Sequence, residues 1–168
     1  MQNAKDTFYE VLRGRIATIN PDRTLVLRGV TRPGVMVVEN ELVSAINLPD
    51  CFRLSWTKAA TDTHGAMPAL AMQCEIAYET AGTAMNAGMD RGRMLGAMDG
   101  ELLTAIGITP QNAQKQDYAG LAFGTAVVPM KTNIWWSNVA FGEAKANDDR
   151  VARTATVTVM SYEEAGEL

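Results

Sequence analysis

Histidine occurs once in the 168 residues, cysteine twice, and aromatic residues make up 7% of the chain. One histidine cannot build a multi-histidine metal centre. Asp62, two residues from His64, adds a single ligand where a site needs three or four with supporting shells. His64, in a Thr-Asp-Thr-His-Gly stretch, therefore reads as a surface loop residue. Cys51 and Cys74 fall in alternating segments that read as strands, away from helix starts and clustered cations that would create a reactive thiolate. They are expected to be buried free thiols; a disulfide would need the two to face one another, which spacing does not decide. The phosphate-loop pattern GxxxxGK[ST] is absent, as is GxGxxG after a strand. The adjacent carboxylates Asp148-Asp149 and Glu163-Glu164 do not form an acid/base pair, because neighbours on a strand point to opposite faces. The expectation is a protein that is not an enzyme, with no catalytic, cofactor-binding or metal-ligating residues and no cofactor.

Long apolar runs are missing too. The longest, Tyr118 to Met130, is broken by Gly120, Gly124 and Pro129 and is too short to span a bilayer. The opening MQNAKDTFYE carries charges where an export signal needs an apolar run, so neither export nor membrane insertion is expected. A basic excess is also lacking. The net charge of -4 and pI near 5.0 remove any general electrostatic case for nucleic-acid binding. Charge is uneven, however: residues 1–33 carry six Lys/Arg against three Asp/Glu, and residues 141–168 carry three against six. Solvated surface charge explains this simply; ends on different faces would also let head-to-tail copies attract.

What is present is enough for one globular domain over 1–168, at 47% hydrophobic and 20% charged residues. Phe8, Val11, Leu12, Ile16 and Ile19 recur at helical spacing, predicting a helix over 3–19 that ends at Asn20-Pro21-Asp22. Short strands are expected at 24–28 and 35–38, separated by a turn at Arg32-Pro33-Gly34. Residues 51–57 and 69–80 alternate as half-buried strands, with a loop over 61–68 between them. A central helix is expected over 86–106, then a polar stretch over 111–117. Two closing strands, 133–141 and 151–162, flank a charged turn. The fold class is α+β: a mixed or mostly antiparallel β-sheet packed against the N-terminal helix and the central, glycine-striped helix.

Three features offer contact surface. Gly88, Gly92, Gly96 and Gly100 recur every fourth residue in the central helix, and each costs roughly 1 kcal/mol relative to alanine. Such a stripe suits close approach by another backbone, either a neighbouring subunit's helix or the protein's own sheet. Trp135 and Trp136 are adjacent in a strand, so one is expected to face the core and the other outward. The 118–130 run, with Tyr118, Leu121 and Phe123, is either a buried strand or an apolar loop ordered by a neighbour.

The order of these elements, with DRGRMLGAMDGELL (90–103) and ARTATVTVMSY (152–162), resembles the tail-terminator (tail-completion) proteins of long-tailed bacteriophages. The resemblance lies in architecture over most of the chain, since that family has no catalytic signature. Relative to a minimal member, 107–131 reads as an inserted or extended loop. The resemblance implies a virion structural protein, made in the host cytoplasm and located in the phage tail or neck. It implies a homohexameric ring that caps the tail tube, ends its polymerisation and presents a surface for head or neck attachment. Its implied partners are further copies of itself, the tail tube protein and a neck or head-completion protein. Neither a membrane nor specific nucleic-acid binding is implied, although such a lumen leaves room for DNA to pass. By the same analogy, 107–131 and the glycine helix are the expected subunit contacts. The alternatives are another ring-forming neck or head-completion protein, and a small enzyme or ligand-binding domain.

Overall fold

A computed structural model describes residues 1–41, 48–165 and 167. Helix α1 (Gln2–Ile19) opens the chain, burying Ala4, Thr7, Phe8, Leu12 and Ile16 on one stripe, as its periodicity predicts. Strands β1 (Thr24–Leu27) and β2 (Val30–Pro33) form a separate antiparallel hairpin. Its turn is Arg28-Gly29, both at positive φ (51° and 79°), rather than Arg32-Pro33-Gly34. Two consecutive left-handed residues match the twist of a tight hairpin, and an arginine there gives no sequence signal. β3 (Val35–Val37) and the short helix α2 (Val38–Glu41) follow.

β4 (Phe52–Asp62) runs five residues beyond the predicted 57, whereas β5 (Ala69–Thr80) has the predicted bounds. Helix α3 spans Arg91–Gly107, starting five residues later than its sequence pattern suggests. The polar stretch expected to be irregular is strand β6 (Asn112–Asp117), and β7 (Val128–Trp136) pairs with it. Within 107–131, only residues 118–127 therefore connect the two strands as a loop, with one short 3-10 turn. β8 (Ala140–Phe141), β9 (Lys145–Asn147) and β10 (Arg150–Tyr162) complete the chain.

The main sheet has the order β3-β4-β5-β10-β7-β6, and only the β3–β4 pair is parallel. This is an α+β fold. β10 pairs with β5 along one edge, Val157 opposite Cys74, and with β9, β8 and β7 in succession along the other. Side chains alternate across the sheet, so Leu70, Met72, Cys74, Ile76 and Tyr78 of β5 join Ala155, Val157 and Val159 of β10 in one core with α1 and α3. α3 contributes Leu95, Met98, Leu102, Ala105 and Ile106 to it. Arg15 ties the helices together, donating to the carbonyls of Ala105 (2.9 Å) and Ile108 (3.2 Å), which the end of α3 leaves unpaired. Asp99 of α3 accepts from the Tyr78 hydroxyl and from Arg153 (2.8 Å), joining the helix to β5 and β10. Among the described residues, no helix is long and apolar enough to cross a membrane.

Candidate functional site

Between β5 and α3 the chain makes a compact loop whose backbone is set by glycine. Gly82 and Gly88 lie at φ +77° and +76°. A Cβ on Gly82 would sit 2.6 Å from Asp90 Oδ1, and one on Gly88 2.8 Å from the Ala81 carbonyl oxygen. Gly88 thus belongs to the loop before the helix, which removes it from the predicted stripe. Asp90 organises the loop from its far end. Its carboxylate accepts the Thr83 hydroxyl (2.7 Å), the Thr83 N–H (2.8 Å) and the Asn86 amide (2.9 Å). These donors hold its pKa down to about 2. Because the pKa is depressed on folding, the stabilisation is present above the ordinary carboxylate range and is lost as pH falls toward 2. The loop so pinned carries Met85 and Met89 almost fully in solvent, 97% and 91% exposed.

The remaining stripe glycines continue outward from this loop. Gly92, Gly96 and Gly100 are exposed, and a Cβ on any of them would meet nothing within 4 Å. The protein's own sheet is therefore not the close neighbour that the stripe could have served; the sheet packs on the opposite side of α3. The exposed residues of α3 are Gly92, Arg93, Gly96, Ala97, Gly100, Leu103, Thr104 and Gly107, with Arg93 their only charge. A solvated helix face is normally lined with charged and polar side chains. This one is bare backbone and small residues, with Leu103 56% exposed.

The paired tryptophans divide as alternation requires. Trp136 faces the core, 4% exposed, its ring edge-on to Phe8 (centroids 5.6 Å apart) and its indole N–H donated to the Ile106 carbonyl (3.1 Å). Trp135 faces the helix-free side of the sheet, half-buried, with its ring 5.3 Å from that of Tyr162. Register places Ala60, Ala71, Met160 and Trp135 side by side on β4, β5, β10 and β7. Two alanines beside two large side chains leave a trough. It forms an apolar groove of about 280 Å³, with Asp62 and Ala69 at one end. Sequence reasoning could find the outward tryptophan but not the groove, because cross-strand register is invisible in one chain.

The other predicted contact residues lie in the β6–β7 connection. Tyr118 is half-buried and its pKa is raised by that burial; Leu121 and Phe123 are exposed, Phe123 to 86%. The 118–130 run is thus an exposed apolar turn leading into β7, between β6 and β10 in the sheet.

Residues with reactive potential are scattered. His64 is solvent-exposed and pairs with Asp62 at 2.7 Å. No group of three or more His, Cys, Asp or Glu able to hold a metal occurs among the described residues. Cys51 and Cys74 are both buried free thiols, and burial pushes Cys51 up to about 11 and Cys74 further. Cys51 should therefore react with a disulfide reagent at pH 8 about a hundredfold more slowly than a free cysteine, and Cys74 more slowly still. Both should become reactive together on unfolding in denaturant. Rapid labelling of either in the native protein would contradict this burial. The most unusual buried polar group, Lys115, gives no sequence signal in its polar surroundings. Fully buried, it donates to Glu167 (2.5 Å), to the Tyr162 carbonyl (2.5 Å) and to Ser161 (3.3 Å), fastening β6 to the segment after β10.

No protein-family model matches the chain, and no curated protein matches it. The role of the α3 face and the Trp135 groove rests on their own residues.

Proposed function

We propose that this protein works by assembly: a virion structural protein that forms a ring on the end of a phage tail tube. The ring ends tube polymerisation and offers a surface to the neck or head. The observation that carries the assembly reading is the α3 face, long, exposed, glycine-opened and almost free of charge, led by two fully exposed methionines. Such a surface is costly to leave wet and inexpensive to cover. The glycines lower helix stability and contribute nothing inside the subunit, which is understandable where another subunit's backbone must come close. The resemblance in element order to tail terminators supplies the ring and the tube. The partners on this reading are further copies, the tail tube protein and a neck or head-completion protein.

Gly96→Ala separates the two roles of this face. With a helical backbone and open space around its Cα, alanine should raise the stability of the isolated subunit by about 0.5–1 kcal/mol. The same methyl should weaken association of the subunits. Light scattering across a concentration series, beside urea denaturation, reads both effects. A chain that stays monomeric at every concentration, and that does not stop elongation of a tail tube protein in vitro, would end the proposal.

A further inference from the structure

We infer that the methionine loop before α3 is a knob that docks in the Trp135 groove of a second copy of this chain, a head-to-tail contact. This inference rests on the self-assembly reading and specifies how two subunits meet. The knob is ordered before any partner arrives. Asp90 and the left-handed glycines 82 and 88 hold its backbone, while Met85 and Met89 stand out 97% and 91% exposed. Presenting flexible apolar side chains from a rigid loop reduces the entropy lost on docking.

The groove fits that occupant in size and chemistry. Its volume of about 280 Å³ lies below the roughly 300–1,000 Å³ typical of small-molecule sites, and suits one or two side chains. Ala60 and Ala71 form its floor. Trp135, braced by Tyr162, gives it an aromatic wall where a thioether makes favourable contacts with sulfur about 5 Å from the ring. Charge agrees as well. Arg93 is exposed beside the methionines, and Asp62, its side chain 68% exposed, stands at the rim of the groove. Opposite charges at the edge of a contact steer and orient it.

One copy cannot fill its own groove. The groove opens at the Ala69–Ala71 end of β5, and the methionine loop follows the other end at Thr80. The strand's twelve residues span about 40 Å at 3.3–3.4 Å each. A contact joining different patches on the two partners is heterologous, and repeating it closes a ring or extends a filament.

Cross-linking tests this directly, because the native cysteines are buried. Met89→Cys and Ala71→Cys chains are prepared separately, mixed and treated with a short bismaleimide, with light scattering of the wild type run in parallel. The expected product is a Met89→Cys/Ala71→Cys heterodimer, with neither variant cross-linking to itself. Adding Ala60→Glu to the groove chain should abolish the product without lowering its melting temperature. Arg93→Asp should reduce the yield, and Asp62→Arg on the groove chain should restore it. Self-cross-linking of Met89→Cys would overturn the inference in favour of a symmetric contact. A self-associating wild type with no heterodimer would overturn the knob-and-groove contact and leave assembly standing; a monomeric wild type would overturn both.

Discussion

Glu101→Ala is expected to lower unfolding free energy by about 3–5 kcal/mol, the cost of breaking a buried ion pair from one side. Glu101 is the hub that fixes α3 to the segment after α1. Its carboxylate accepts Nε and Nη2 of Arg23, the latter at 2.8 Å, and the Asn20 side-chain amide at 2.8 Å. Arg23 is itself buried, with its guanidinium over the Phe52 ring (5.6 Å) and Nη1 donated to the Asp50 carbonyl (2.8 Å). Removing Glu101 leaves that guanidinium with one carbonyl where it had a bidentate anion. The urea midpoint reads the loss. The double variant Arg23→Met/Glu101→Leu should recover a large part of it, because a buried pair replaced by apolar side chains is often no less stable. A single-variant loss below about 1 kcal/mol would place the pair in the class of solvated surface bridges.

Trp136→Ala should cost a similar amount, about 3–5 kcal/mol, while Trp135→Ala should change subunit stability by less than about 1 kcal/mol. The contrast follows from the two faces of one strand. Truncating Trp136 opens a cavity beside Phe8, removes the stacking surface for Arg15 (5.0 Å from the ring) and leaves the Ile106 carbonyl without its indole donor. The Ile106 carbonyl lies in the last turn of α3, so the loss reaches the helix terminus as well. Truncating Trp135 widens a groove that is already open to solvent. Paired denaturation curves decide the matter, and equal losses for the two variants would refute this assignment of faces.

The parts of the fold legible in the sequence are those where a single face is buried over a long stretch. β5 shows its alternation over twelve residues, and α1 shows its stripe over four turns. The illegible parts are those where a distant element decides. β6 reads as a polar loop because Asn112, Gln114 and Gln116 carry no pattern. It is a strand because β7 pairs with it and because Thr7 of α1 accepts the Gln116 N–H at 3.0 Å. The start of α3 was hidden for a local reason: 86–90 keeps helical spacing, but Ala87 and Gly88 adopt left-handed backbone and Asp90 closes the loop over them. The stripe itself was legible and its packing was not. Spacing placed Gly92, Gly96 and Gly100 on one arc, and only the position of the sheet shows that the arc faces away from it. The division of the tryptophan pair is legible in strand alternation, whereas which of the two turns inward depends on the register of β7 against β10.

The position of β10 also sets an order of events when the chain is made. It leaves the ribosome after β1 to β9, yet it lies between β5 and β7 and joins the two halves of the sheet. Until residues 150–162 emerge, β5 has a free apolar edge, and the β6–β7 hairpin has no sheet to join. The decisive pairing, Val157 with Cys74, spans some eighty residues of chain, a slow kind of closure. Between the completion of β7 and the emergence of β10 the protein is therefore two unjoined half-sheets, exposed to mispairing with its own copies, and release of β10 commits it to a single subunit.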